Sequence, residues 1–166
     1  MMLRYLTLIL ILFTNTVWAH PHVWVESRLS FDKAVVHASW QFDEMFSNVM
    51  YSDYDVDGDK QFTGQEAKKL KSEMFDNLSN FGYFFIAYCG NAMLDVGTAS
   101  NFKASSDGVK VTYQFDLPIK TAGCKQPLEI YNFDETYYTD ITVISVKGGK
   151  STLKSDMGGR QFVELQ

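Results

Sequence analysis

Two of the three histidines in the chain, His20 and His22, flank Pro21 immediately after an apolar leader. A cut after Ala19 would make His20 the first residue. Its α-amine and ring Nδ1 would then form a natural chelate, and amine and imidazole nitrogens suit Cu2+, Ni2+, Co2+ and Zn2+. Strand periodicity puts the His22 imidazole on the same face. Pro21 carries no amide N–H to deprotonate, which excludes a square-planar site built on backbone amides. What remains is an amine and imidazole site completed by carboxylates. Asp43 is the expected partner and Asp134, in "NFDETYY" (132–138), a further candidate; carboxylates at such strand ends more often cap a turn.

The second constellation is "DVDGDKQFTGQE" (55–66). A calcium loop of the EF-hand kind needs oxygens at positions 1, 3, 5, 7, 9 and 12. Asp55, Asp57 and Asp59 fill the first three, Gln61 offers its carbonyl, Thr63 sits at position 9, and Glu66 is the bidentate ligand. Phe62 falls where an apolar side chain packs. Position 6 departs from the pattern: Lys60 stands where glycine would take a positive φ at no cost, against ~1 kcal/mol or more for another residue. "TGQE" (63–66) also reads as a helix-capping box. One loop without a partner, of the weak extracellular class with Kd on the order of 10⁻⁴–10⁻³ M, fits a structural ion better than a sensor.

These residues need elements to position them. Residues 1–19, with Arg4, the apolar run "LTLILILF" and "VWA" before the cut, have the layout of a signal peptide. That run is shorter than the ~20 residues of a membrane span. Residues 20–166 are then expected to form a single periplasmic domain. Val23, Val25, Leu29 and Phe31 alternate with polar neighbours, and beyond a two-residue turn at Asp32-Lys33 the parity flips to Val36, Ala38, Trp40 and Phe42. That is a β-hairpin with one buried face. The predicted register sets Asp43 opposite His22, Gln41 opposite Trp24 and His37 opposite Arg28, leaving His37 about 20 Å from His22 at ~3.3 Å per residue.

Phe46, Val49 and Met50 before the acidic loop, and Ala67, Leu70, Met74, Leu78 and Phe81 after it, recur at helical spacing. They predict an EF-hand-like helix–loop–helix insertion at about 44–81. Strand patterns resume at "YFFIAYCG" (83–90), 101–105, 109–117, 127–133, 140–146 and 160–165, with glycine pairs marking turns. The expected fold is mainly β with an α insertion: an antiparallel β-sandwich of about seven strands. Cys89 and Cys124, an even pair in a secreted chain, are expected to form a disulfide.

Net charge −5 removes electrostatic support for nucleic-acid binding. No nucleophile elbow, P-loop or dinucleotide fingerprint is present, so neither an enzyme nor a small organic cofactor is expected. "HPHVWVE" (20–26), "WQFDEMFS" (40–47) running into the Asp-rich loop, and "IYNFDETYY" (130–138) together resemble a bacterial family, a domain of unknown function described as an uncharacterised periplasmic component of ABC-type transport systems. The resemblance implies a link to transition-metal transport, with metal ions and an inner-membrane metal transporter as partners. The leading expectation is a periplasmic metal-binding accessory with a structural Ca2+ site. A copper-dependent oxidative enzyme using an N-terminal histidine needs a second imidazole in trans, for which His37 is the only spare. A Ca2+-stabilised interaction module with an inert "HPH" is the third reading.

Overall fold

The computed structural model describes residues 22–166, so the leader, the cut after Ala19 and His20 lie outside the described residues. Ten strands and a helical insertion follow one another. They are β1 (Val23–Asp32), β2 (Val35–Phe42), α1 (Glu44–Tyr54), α2 (Gly64–Leu70), β3 (Phe85–Cys89), β4 (Ala92–Leu94), β5 (Ser100–Ser106), β6 (Val111–Pro118), β7 (Leu128–Asn132), β8 (Thr139–Lys147), β9 (Ser151–Ser155) and β10 (Gln161–Leu165). They form two five-stranded sheets, β5-β6-β2-β1-β8 and β4-β3-β7-β10-β9. The architecture is mainly β and sandwich-like.

Two expectations change here. The strand number is ten rather than about seven, because β4 and β9 are short edge strands with exposed residues and no alternation to announce them. The sheets are also not wholly antiparallel: β1 runs parallel to β8, with the register shifting between Ser27 and Arg28 where Ile144 is left over.

The facing sheets enclose an aromatic core. Trp40 of β2 stacks on Phe85 of β3 with ring centroids 6.0 Å apart and meets Phe115 of β6 edge-on at 5.0 Å. Into this apolar layer comes one amide. Asn132 of β7, 2% exposed, accepts through Oδ1 from the Ser27 hydroxyl at 2.7 Å and from Trp40 Nε1 at 3.0 Å, while its Nδ2 donates to the Phe84 carbonyl at 3.2 Å. Ser27, the polar interruption of the inward face of β1, is completely buried for this reason. A buried amide so engaged ties β1 and β2 to the opposite sheet at the cost of no unmade hydrogen bond.

The edges are closed by other means. On the free side of β8, the Gln161 amide of β10 takes Val143 N–H on Oε1 at 2.8 Å and donates to the Val143 carbonyl at 3.3 Å, copying one residue of a neighbouring strand. Cys89, ending β3, is joined to Cys124, 35 residues on, as expected.

The β1–β2 hairpin corrects the predicted register. The turn is Lys33-Ala34, with Lys33 at φ 54, and Asp32 still pairs with Val35. Moving the turn by one residue shifts every partner by two and so preserves the faces. His37 lies opposite Ser30, and Gln41 opposite Glu26.

The insertion is a helix–loop–helix, and its second arm is not the uniform α-helix that the spacing predicts. After Leu70 the chain widens into a π-helical stretch (Lys71–Phe75), tightens into a 3-10 stretch (Asp76–Phe84) and breaks at Gly82 and Tyr83, both with positive φ. In an α-helix, residues five apart point away from each other. A π turn brings them to one face. Leu70 and Phe75 are thereby both buried, and Phe75 stacks on Phe102 at 4.2 Å. Phe81, expected on the apolar face, is 58% exposed where the break begins.

Asn132→Ala would strand the Trp40 indole N–H and the Ser27 hydroxyl in the core, and each unsatisfied group costs about 1–3 kcal/mol. Ser27→Ala leaves Asn132 Oδ1 with Trp40 and should cost only about 0.5–1.5 kcal/mol. Urea unfolding of the two variants should show that order.

Candidate metal sites

The acidic loop is positioned by α1 and α2. Asp43 starts α1: its Oδ1 accepts from Phe46 N at 3.0 Å, the N-cap bond that relieves one of the free donors of a first helical turn. Glu66 reaches back across the loop, with Oε1 accepting from Val56 N at 2.7 Å and Asp57 N at 3.4 Å, and Oε2 from Thr63 N at 3.4 Å. The calcium ligand and the capping-box acid expected at this position are thus the same carboxylate.

Within the loop, Asp55, Asp57 and Asp59 each bring a carboxylate oxygen within 4.8 Å of the others. Local bonds fix the turn: Asp55 Oδ2 accepts from Lys60 N at 3.2 Å, Asp57 Oδ1 from Asp59 N at 3.1 Å, and Asp59 Oδ1 from Gln61 N at 2.7 Å. Asp55 Oδ1 is buried and, among the described residues, has no donor. A buried carboxylate oxygen without a partner is costly, and a hard cation is a partner that would satisfy such an oxygen on a loop of three gathered carboxylates.

Lys60 adopts φ 64, the conformation glycine would take at this position. Its ammonium lies over the Tyr51 ring, 3.7 Å from the centroid. Phe62 stacks on the same ring at 5.8 Å and is buried. The lysine charge is therefore held by an aromatic face, a cation–π contact of the kind worth ~0.5–1 kcal/mol at exposed sites. Tyr51 also hydrogen-bonds Ser106, and Gln61 Nε2 donates to the Ser106 carbonyl at 3.4 Å, docking the loop on the β5–β6 turn. A buried bond from Val111 N to Ser47 Oγ, 3.0 Å, seats α1 on β6.

The histidine region is arranged differently from expectation. His22 is exposed at the start of β1. Its N–H donates to the Tyr138 carbonyl at 2.8 Å and its ring lies 5.0 Å from the Tyr138 ring. Asp43 stands opposite Trp24 and not His22: Asp43 N donates to the Trp24 carbonyl and Trp24 N to Asp43 Oδ2, both at 2.9 Å. Both carboxylate oxygens of Asp43 thus hold backbone N–H groups. Asp134 is 2% exposed and likewise spent, accepting from Thr136 N, Thr136 Oγ1 and Thr139 N at 2.7–2.9 Å. It shapes the 133–138 loop that carries Tyr138 beside His22.

His37, the spare imidazole of the sequence, is paired. Its Nδ1 lies 2.6 Å from Asp116 Oδ1, and Asn101 Nδ2 donates to Asp116 Oδ2 at 2.6 Å. These donors, the Asn101 amide first and the imidazole second, hold the Asp116 carboxyl below the usual carboxylate range. The alternation of β2 and β6 places His37 and Asp116 on polar faces. Only the β2–β6 pairing, between strands some 80 positions apart in sequence, brings them together. Elsewhere burial pushes the Tyr113 phenol up; its hydroxyl lies 3.2 Å from Met50 Sδ.

With this geometry in hand, a family model described as "Protein of unknown function (DUF1007)" matches residues 5–158. The chain belongs to that family. One relative by sequence is the "Uncharacterized 15.5 kDa protein in trpE 3'region" of Spirochaeta aurantia, 33% identical over 118 residues, covering 70% of this chain and 83% of the relative. No solved structure matches this DUF1007 chain. Among its described residues no helix is long and apolar enough to cross a membrane. The Cys89–Cys124 bond is of the kind that persists in oxidising compartments such as the periplasm or outside the cell.

Because Asp43 bonds two amides, its replacements should be graded. Asp43→Ala loses the helix cap and the Trp24 bond together, a cost of about 1–2 kcal/mol. Asp43→Asn keeps the cap through its remaining oxygen and should cost about half as much. Hydrogen exchange at Phe46 N–H should rise only in the alanine variant, and at Trp24 N–H in both.

Proposed function

We propose that this DUF1007 protein is a periplasmic metal-binding accessory of a transition-metal transport system, braced by a structural Ca2+ ion in an EF-hand-like loop. The observation that carries the calcium part is the buried Asp55 Oδ1, without a donor among the described residues, on one of three carboxylates gathered within 4.8 Å of one another. Asp55, Asp57, Asp59 and Glu66 would supply side-chain oxygens, with Gln61 and Thr63 completing the set. The Lys60 backbone already takes the positive φ that the loop needs, and its charge rests on Tyr51. Bound there, Ca2+ would neutralise the carboxylates and lock α1 to α2 against the β5–β6 turn.

The transition-metal part rests on the exposed His22 ring at the head of β1 and on the sequence placing His20 two residues before it. With Asp43 and Asp134 committed to backbone donors, the ligands of this site are the terminal amine and the two imidazoles. The carboxylates act by positioning: Asp43 anchors Trp24, and Asp134 anchors the Tyr138 loop. Zn2+, Ni2+, Co2+ and Cu2+ all accept such nitrogens. The implied partner is an inner-membrane metal transporter, in line with the resemblance to periplasmic components of ABC-type systems.

Isothermal titration of the secreted chain should give Ca2+ binding with Kd on the order of 10⁻⁴–10⁻³ M. It should disappear in Glu66→Gln, along with the rise in melting temperature that Ca2+ gives the wild type. Cu2+, Ni2+ or Zn2+ should bind at a separate site that survives Glu66→Gln and is lost in His20→Ala. Equal transition-metal affinity in His20→Ala and wild type would end the transport reading and leave the calcium reading standing.

A further inference from the structure

The outward face of the first sheet carries an open basin of about 770 Å³, away from both metal sites. The strand registers lay its floor out in rows. Lys147 of β8 stands opposite Ser30 of β1, Ser30 opposite His37 of β2, and His37 opposite Asp116 of β6. One step along β1 on the same face is Arg28. Ser30 is therefore bracketed by Lys147 on one side, His37 on the other and Arg28 along its own strand. Opposite residues in a sheet lie ~5 Å apart and same-face neighbours ~7 Å. All three side chains can converge on one small ligand above the Ser30 hydroxyl.

The surrounding charges favour an anion. Arg28, Lys147 and Lys103 line the basin and Asp116 is its one carboxylate, in a chain whose net charge is −5. Asp116 is already bonded to His37 and Asn101 and is ionised. An ionised carboxylate only accepts, so His37 Nδ1 carries the hydrogen of their 2.6 Å bond. The ring is fixed by that bond, and Nε2 is left for the basin. Arg28 shares an exposed pair with Glu26 at 3.2 Å, with side chains 44% and 50% exposed. Such pairs are worth little and release the guanidinium readily. Asp32 lies one same-face step beyond Ser30 and does not line the basin.

We propose that Arg28, Lys147, His37 and the Ser30 hydroxyl form a binding site for a small dianionic oxyanion, with Asp116 as the positioning residue that aims the imidazole. Histidine is the side chain that changes charge between about pH 5 and 8. An oxyanion held at Nε2 needs the doubly protonated ring, in which both nitrogens donate, so binding there is coupled to uptake of a proton.

Sulfate and oxalate keep their double charge across this range, so they separate titration of the protein from titration of the ligand. They also represent the two sources of such a group, a tetrahedral oxyanion and a carboxylate. The processed chain is titrated with each at about pH 5.5 and about pH 8, following amide resonances of Ser30 and His37. One or both should bind tighter at the lower pH. Lys147→Gln and Arg28→Gln should each weaken binding at least about fivefold, the effect of one unit charge at contact distance in water. His37→Gln should lose the gain on acidification, and Asp116→Asn should reduce it. Silence of both amides with both anions overturns the proposal. So does unchanged affinity in the two cation variants, or a gain on acidification that persists in His37→Gln.

Discussion

The side chain of Asn132 is the point on which the two sheets agree. It reaches from β7 into the aromatic layer and engages Ser27 of β1, Trp40 of β2 and the Phe84 carbonyl at the entrance to β3. Apolar contacts between facing sheets tolerate sliding, because burial depends on area and not on direction. A hydrogen-bonded amide does not, since any slip would leave a polar group unpaired in the core. Asn132 therefore fixes how the sheets sit on each other. It also fixes the azimuth of Trp40, against which Phe85 and Phe115 pack. The β1 strand that follows His22 and the 133–138 loop that follows Asn132 both inherit their positions from this contact.

Much of this was legible in the chain. The alternation of β1 and β2 gave the inward set Val23, Val25, Leu29, Val36 and Trp40 correctly, because one buried face leaves a period-two trace. The cysteine pair and the start of the helical insertion at Glu44 were equally visible. The turn position was not: Asp32-Lys33 and Lys33-Ala34 both serve as two-residue turns, and the choice depends on which residue takes the positive φ. The widening of the second helical arm was also hidden, because it is driven by the fit of Phe75 among Phe102, Tyr113 and Phe115, residues far away in sequence. The same holds for His37 and Asp116, whose meeting needs a long-range register.

The acidic residues of the chain divide by the work their oxygens do. Asp43 and Asp134 have both oxygens occupied by N–H or O–H donors and serve as fasteners of backbone. Asp55 has one oxygen occupied and one buried without a donor among the described residues, which under the proposed function would make it a receptor. A sequence cannot separate these roles, since the residue type is the same and the distinction lies in the count of donors within reach. Glu66 belongs to both groups, and its bonds to Val56 and Asp57 preform the loop.

The parallel pairing of β1 with β8 carries a consequence for how the chain is made. The opening strand can zip onto β2 almost at once, but its other flank stays bare until Thr139–Lys147 has been synthesised, more than a hundred residues later. Closing so wide a loop is slow. Until it closes, Ser27 and Trp40 also lack Asn132, and the core has no lid. A nascent chain of this design remains loose through most of its synthesis, the state in which a polypeptide can be threaded through a narrow pore before it sets.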